Sequence, residues 1–189
     1  APIQAVIVPI ASHKEGVTEK ATELYERLKK TCRAKIDLSD NTPGWKFAEY
    51  EMKGVPVRIE IGPRDIENNV CVAVRRDNGE KTVISLDNLE CEVSKLLESV
   101  TKGLYEKALA SRENMTNVAL DLDSMITTAD TKPGFIKAMW CGDRDCEELL
   151  KEKAGVSSRC MPFEQETITD KCVCCGKPAK KMVYWGKAY

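Results

Sequence analysis

The sequence has one histidine and no excess of charge of either sign. Twenty-nine Lys and Arg stand against 30 Asp and Glu, so the net charge at pH 7 is −1. A protein this neutral exerts no global pull on nucleic acid, and any RNA binding has to be local and specific in its contacts. The lone His13 lies in a loop with no nucleophile or metal set beside it, which points to a surface or capping role rather than a general base. No apolar run is long enough to span a membrane, and the opening Ala1 to Ile10 has no basic segment before it, so it is not expected to act as a signal peptide. No glycine-rich phosphate loop follows the first candidate strand, since Ser12-His13-Lys14-Glu15-Gly16 is no such loop. There is no Walker loop, no Ser/His/Asp set and no complete catalytic constellation. The carboxylate pairs Asp121/Asp123 and Glu147/Glu148 read as helix surface.

What is present is 189 residues, 42% hydrophobic and 31% charged, enough for one large or two small domains of a globular protein without disulfides. Nine cysteines, an odd number without an export signal, read as reduced thiols, some of them metal-bound. A β-branched apolar stretch, Val6 to Ile10, forms a central strand. Val17, Ala21, Leu24, Leu28 and Cys32 recur at steps of four and three, one stripe of a helix. Ala34 to Leu38 is a second strand, and strand-helix-strand suggests a right-handed unit with parallel pairing. The next helix starts at Thr42-Pro43 and ends at Gly54 with Pro56. On it Trp45, Ala48 and Met52 share one face, and Phe47 and Glu51 lie on another. If the first face packs on the sheet, Phe47 is held outward beside a carboxylate.

Val55, Val57, Ile59 and Ile61 alternate with Pro56, Arg58 and Glu60, a strand with one apolar and one polar face. Gly62-Pro63-Arg64-Asp65 reads as a turn, Val70 to Val74 as a strand running into Arg75-Arg76, and Lys81 to Ser85 as its partner across Asp77-Asn78-Gly79-Glu80. A long helix follows to about Glu113, with Leu86, Leu89, Val93, Leu96, Leu97, Val100 and Leu104 as its buried stripe. The expected first domain, residues 1–113, is α/β, a mixed five-stranded sheet with three helices. Residues 114–189 are expected to form a small α+β domain, with a short helix near Leu122 to Thr128, a strand Phe135 to Trp140 and a helix Asp145 to Ala154. The opening on a buried strand suggests that the chain was cut from something longer.

Two constellations carry chemistry. The first is Cys141 and Cys146, spaced C-x4-C, with Cys172 and Cys175, spaced C-x2-C, 25 residues on. Two such turns can present four thiolates to one tetrahedral ion, for which Zn2+ is best suited, with an iron–sulfur cluster or a group of buried free thiols as the alternatives. Cys174 and Cys160 are alternative ligands. Four thiolates leave no open position, so the metal is structural, and a region this short has so little core that chelation is expected to unfold it. The second set is Phe47, Glu51, Arg58, Glu60, Arg64, Asp65 and Arg75. Most charged sets are solvated faces. An exposed aromatic among Arg and carboxylates can instead read unstacked bases. The ring stacks, Arg donates to guanine O6 and N7, and a carboxylate accepts from N1 and N2.

The stretch Gly44-Trp45-Lys46-Phe47 through Glu51, then Lys53 to Asp65, closely resembles the anticodon-binding domain of the prolyl-tRNA synthetase family. Trp140-Cys141-Gly142 with Cys146, Arg159 to Phe163, Cys172 to Gly176 and Gly186 to Tyr189 resemble the zinc-binding C-terminal domain of its archaeal/eukaryotic-like form. The resemblance implies proline tRNA as partner, with two anticodon guanines. It implies contacts at Phe47, Glu51, Arg58, Arg64 and Asp65, with Glu60 and Arg75 further candidates, and zinc on Cys141, Cys146, Cys172 and Cys175. It also implies a cytoplasmic parent enzyme, a homodimer that joins proline to tRNA with ATP. ATP and proline would bind a class II catalytic domain outside this sequence, which Tyr189 is expected to approach, so this piece is expected to be inactive alone. The competing expectations are a free-standing zinc-stabilised interaction module of the same fold, and a metal-dependent enzyme, which would need an open metal position.

Overall fold

The computed structural model describes residues 1–188. Tyr189, and with it the expected approach to a catalytic domain, lies outside the described residues. The chain divides into two compact units, Ala1–Glu106 and Lys107–Tyr189. The division falls inside a long helix rather than at the boundary after residue 113 that the change to a polar, aperiodic sequence suggests.

The first unit is a five-stranded mixed sheet of order β2-β1-β3-β4-β5. The strands are β1 Ala5–Pro9, β2 Ala34–Ile36, β3 Val57–Ile61, β4 Val70–Arg75 and β5 Lys81–Ser85. β1 pairs in parallel with β2 and β3, and β3-β4-β5 is an antiparallel meander. Helix α1, Val17–Leu28, buries the expected stripe of Val17, Ala21, Leu24 and Leu28. The long helix α4, Leu89–Asn114, covers the same side of the sheet with Leu89, Val93 and Val100, after a 3-10 turn at Leu86–Asn88. Leu104, the last member of the expected stripe, is instead 48% exposed. Arg27 clamps α1 to the start of α4, donating from Nε and Nη2 to the two carboxylate oxygens of Glu90, both at 2.7 Å, and from Nη2 to the Leu86 carbonyl. A fork of this kind fixes geometry as well as adding energy.

Helix α2, Pro43–Met52, lies on the other side of the sheet, over Val6 and Val8 of β1. Thr42 caps it, its hydroxyl accepting from the Trp45 NH, and Pro43 opens the first turn, as its punctuation indicates. The face it buries is not the expected one. Trp45, Ala48 and Met52 point to solvent, Met52 86% exposed, whereas Lys46 and Tyr50 are buried. The reason is a buried polar anchor at the end of β2. The Lys46 ammonium lies 3.5 Å from Asp37 Oδ1 and donates to the Asp37 carbonyl at 3.1 Å. Tyr50 donates to Asp37 Oδ2 at 3.0 Å, and Ser39 donates to Oδ1 through its NH and its hydroxyl. A buried charge is retained only when paired and hydrogen-bonded, so this network fixes the rotation of the helix against its apolar periodicity. The expected turn after β3 is a short helix, α3, Pro63–Glu67.

The second unit holds a four-stranded sheet of order β6-β7-β9-β8. Its strands are β6 Thr116–Val118, β7 Phe135–Trp140, β8 Val156–Cys160 and β9 Lys181–Lys187, with helices α5 Leu122–Thr131 and α6 Arg144–Ala154. β7 and the two helices match the expected elements, and the outer strands and β9 do not follow from sequence periodicity. Met125, Ile136, Ala138, Leu150, Val156, Val183 and Trp185 form a core distinct from the cysteines. The region therefore has more core of its own than its length and cysteine content suggest.

Burial pushes the Asp37 carboxyl up, and the donors from Ser39 and Tyr50 with the Lys46 charge outweigh it, leaving it below the usual carboxylate value. Burial and the same carboxylate push the Tyr50 hydroxyl up to about 12. A depressed carboxyl stabilises the fold at neutral pH, and that contribution fades as the pH falls below about 4. Asp37→Ala leaves Lys46 buried with a backbone carbonyl but no counter-charge, and strips Tyr50 of its acceptor, and is expected to cost about 3 kcal/mol of stability at pH 7. Urea unfolding at pH 7 and below pH 4 checks this, the gap between the two proteins narrowing in acid.

Candidate nucleic-acid interface and metal centre

With α2 turned as described, Phe47 and Glu51 meet β3. Arg58 sits at the centre of the set, only 9% exposed although it is charged. Its guanidinium carbon lies 3.9 Å from the centroid of the Phe47 ring. Nη1 donates to Glu51 Oε1 at 2.9 Å, and Nε and Nη2 both reach Glu60 Oε1 at 3.0 Å. A guanidinium has five N–H donors, so one remains on each terminal nitrogen. The Glu60 side chain is 15% exposed and the Glu51 side chain 58%, so one partner is an internal brace and the other faces water. Phe47 is not held outward as its place opposite Trp45 suggests. It is half-buried against the Val6-Val8 cluster, and Arg58 covers it.

The remaining members separate from this cluster. Arg64 is exposed on α3 and has no side-chain partner among the described residues. Asp65 accepts from the Gly62 NH at 2.8 Å, the cap that starts α3, so its carboxylate serves the fold. Arg75 is on the opposite face of the sheet. It pairs with Val57, whose side chain lies in the core under α1 and α4. There it grips Asp77 from Nε at 3.0 Å and Nη2 at 2.6 Å, and donates to the Ser99 hydroxyl at 2.8 Å. Arg75 therefore ties the β4-β5 hairpin to α4, and strand parity separates it from Arg58 and Glu60. Arg76, which the sequence does not single out, donates to the Glu51 carbonyl at 2.8 Å and fastens the end of α2 to the sheet.

The cysteine set assembles in the second unit. Cys141 follows β7, and Cys146 lies in the first turn of α6, where Asp143 caps the helix by accepting from the Asp145 NH. Cys172 and Cys175 flank a tight turn closed by Gly176 NH to the Cys172 carbonyl at 2.9 Å, with Gly176 at φ +70°. The four Sγ atoms lie within 4.8 Å of one another, and the group could hold a metal ion. Cys141 to Cys146 is 3.7 Å and Cys141 to Cys175 is 3.9 Å. Four sulfurs at 2.3 Å from a tetrahedral zinc have edges of about 3.8 Å, so the donor set fits that ion. Cys160 is exposed on β8, and Cys174 packs partly buried between the two apolar clusters of the unit. Burial pushes the Cys172 thiol up, but backbone NH groups at Cys175, Cys174 and Cys141 more than offset this and hold it at about 7. Burial raises Cys146 instead.

Because the core around Trp185 is separate, chelation is expected to release the cysteine turns rather than unfold the whole unit. Hydrogen exchange after chelator treatment checks this. Residues 141–146 and 171–178 should lose protection while β7 and β9 keep theirs, and Cys172→Ser should do the same.

A family model described as an anticodon binding domain matches residues 4–96, and one described as prolyl-tRNA synthetase, C-terminal, matches residues 122–189. The proline–tRNA ligase of Clostridium novyi (strain NT) is 64% identical over 189 residues, 100% of this chain and 40% of that protein. Those of Clostridium botulinum (strain Langeland / NCTC 10281 / Type F) and Ruminiclostridium cellulolyticum are each 59% identical with the same coverage. The chain thus spans 40% of the length of these relatives. With an anticodon-binding unit, a C-terminal unit and this identity over its whole length, the chain belongs to the prolyl-tRNA synthetase family.

Proposed function

We propose that this chain is the tRNA-reading and C-terminal portion of a proline–tRNA ligase, and that it binds proline tRNA through the two guanines of the anticodon. The observation that carries the reading is the Arg58 guanidinium, stacked on Phe47 at 3.9 Å and held by one buried and one exposed carboxylate. A gap of 3.9 Å admits no base between ring and guanidinium, so in this reading Phe47 orients Arg58 and the base meets the guanidinium edge. The Arg58–Glu51 pair is the weak link. With Glu51 facing water it contributes about 1 kcal/mol or less, so a ligand opens it at small cost. Once open, Arg58 donates to guanine O6 and N7 while Glu51 accepts from N1 and N2. Glu60 keeps the guanidinium in place during the exchange. Arg64, exposed and unengaged, supplies a further contact to RNA, to a base or to phosphate. Asp65 and Arg75 support the scaffold in this reading and do not touch RNA.

The whole ligase activates proline with ATP, acts as a cytoplasmic homodimer and holds its catalytic domain in the part of the relatives' length that this chain does not span. The reading of the second unit is a structural Zn2+ on Cys141, Cys146, Cys172 and Cys175. Support comes from the sulfur spacing and from a closed set with no position for substrate. Among the described residues no helix is long and apolar enough to cross a membrane.

The decisive binding experiment titrates the chain with proline tRNA and with transcripts whose anticodon guanines are changed. Changed guanines should weaken binding, and equal affinity for all transcripts contradicts the proposal. Arg58→Ala or Glu51→Gln should each remove about 1–3 kcal/mol of that discrimination.

A further inference from the structure

The sheet face that carries Arg58 continues beyond it. Pairing sets Glu60 opposite Val72 and Val72 opposite Val83, and it sets Arg58 opposite Val74 and Val74 opposite Lys81. Residues directly opposite share a face of the sheet, so Val70, Val72 and Val83 lie on the side of Arg58 and Glu60. Cys71, Ala73 and Ile84 face the core on the other side. Helix α2 covers Val6 and Val8 of β1 on this side, yet Val83 is 66% exposed and Val70 and Val72 are only half-buried. The result is an open apolar patch that starts at Val72, one strand or about 5 Å from Glu60, and reaches Val83, two strands or about 10 Å away.

A single exposed valine is ordinary. Three contiguous ones adjoining a charged base-reading cluster, on the part of this face beyond α2, form a continuous surface half polar and half apolar. The exposed Lys81 at the start of edge strand β5 disfavours strand pairing with a second copy.

We infer that Val70, Val72 and Val83 form a shelf that takes the ring face of a third unstacked base of the same anticodon loop and holds it without identifying it. The inference rests on the proposed tRNA reading. Its chemistry follows from the side chains. Valine has neither donor nor acceptor, so the shelf gains from burying a base face and is indifferent to the base edge, whereas Arg58 and Glu51 read edges. Two positions are then specified and the neighbouring one is merely held.

The test uses the whole chain and four proline tRNA transcripts that keep both guanines and carry A, C, G or U at the remaining anticodon position. Val83→Asp should weaken binding about tenfold or more, by the same factor for all four, with melting unchanged because the side chain is exposed. Val83→Tyr should strengthen binding, since an aromatic ring stacks better on a base. Unchanged binding by Val83→Asp overturns the shelf, and so does a factor that varies with the base. A loss of self-association without loss of RNA binding, seen by sedimentation, overturns it as well. Arg58→Ala separates the two failures. If Arg58→Ala abolishes guanine discrimination while Val83→Asp does nothing, only the shelf falls. If the unmodified chain does not discriminate guanines at all, the tRNA reading falls and the shelf with it.

Discussion

The arrangement of the first unit depends on one buried carboxylate. Asp37 ends the β2 edge of the sheet and collects Lys46, Tyr50 and Ser39 around it. Lys46 and Tyr50 are four apart on α2, so satisfying them sets how that helix is rotated. Phe47 is next to Lys46 and Glu51 next to Tyr50, and both are carried to the flank of β3. There they meet Arg58. The charged cluster at the surface is thus positioned by a charged cluster beneath it, and an ionisable pair in the interior settles which aromatic of α2 is used.

The same anchor explains what the sequence could and could not reveal. β1 and α1 were legible because their apolar run and apolar stripe meet no competitor, and β5 from the turn signal Asp77-Asn78-Gly79-Glu80 before it. The start of α2 was legible from Thr42 and Pro43. Its rotation was not, because Trp45, Ala48 and Met52 make the better apolar stripe, and only a tertiary partner for Lys46 outweighs them. Arg75 is a second case of this kind. Along β4 the valines Val70, Val72 and Val74 are the more apolar alternating set, yet Cys71 and Ala73 face the core, so alternation puts Arg75 on the core side only once the tertiary packing is known. Asp65, three residues after Gly62 with Pro63 between, carries a helix-start signal that a turn reading overlooks. In the second unit, β9 was hidden because Met182 and Val183 are both buried in succession, so the strand lacks a period of two.

The second unit divides its stability between two sources. Trp185 and its neighbours bury a conventional core between sheet and helices. Met139, Cys146, Cys172, Ala179 and Met182 make a smaller apolar shell around the thiolates. The tight turns at Cys141-Gly142 and Cys175-Gly176 need residues at positive φ, and glycine supplies them at low cost. The cysteine motif is the most specific chemical signal in the chain, yet its closed geometry suits it to holding turns together and not to recognition. In the proposed function, recognition belongs to the less conspicuous face built on Arg58.

The pairing of Glu51 with a guanine edge is the central contact of the proposed tRNA reading. The measurement is a double-mutant cycle between Glu51→Gln and replacement of each anticodon guanine by inosine, which lacks the N2 amino group. If Glu51 accepts from that amino group, the two changes are non-additive at one guanine, with a coupling of about 1–3 kcal/mol in tRNA binding. Additive effects at both guanines would contradict the account.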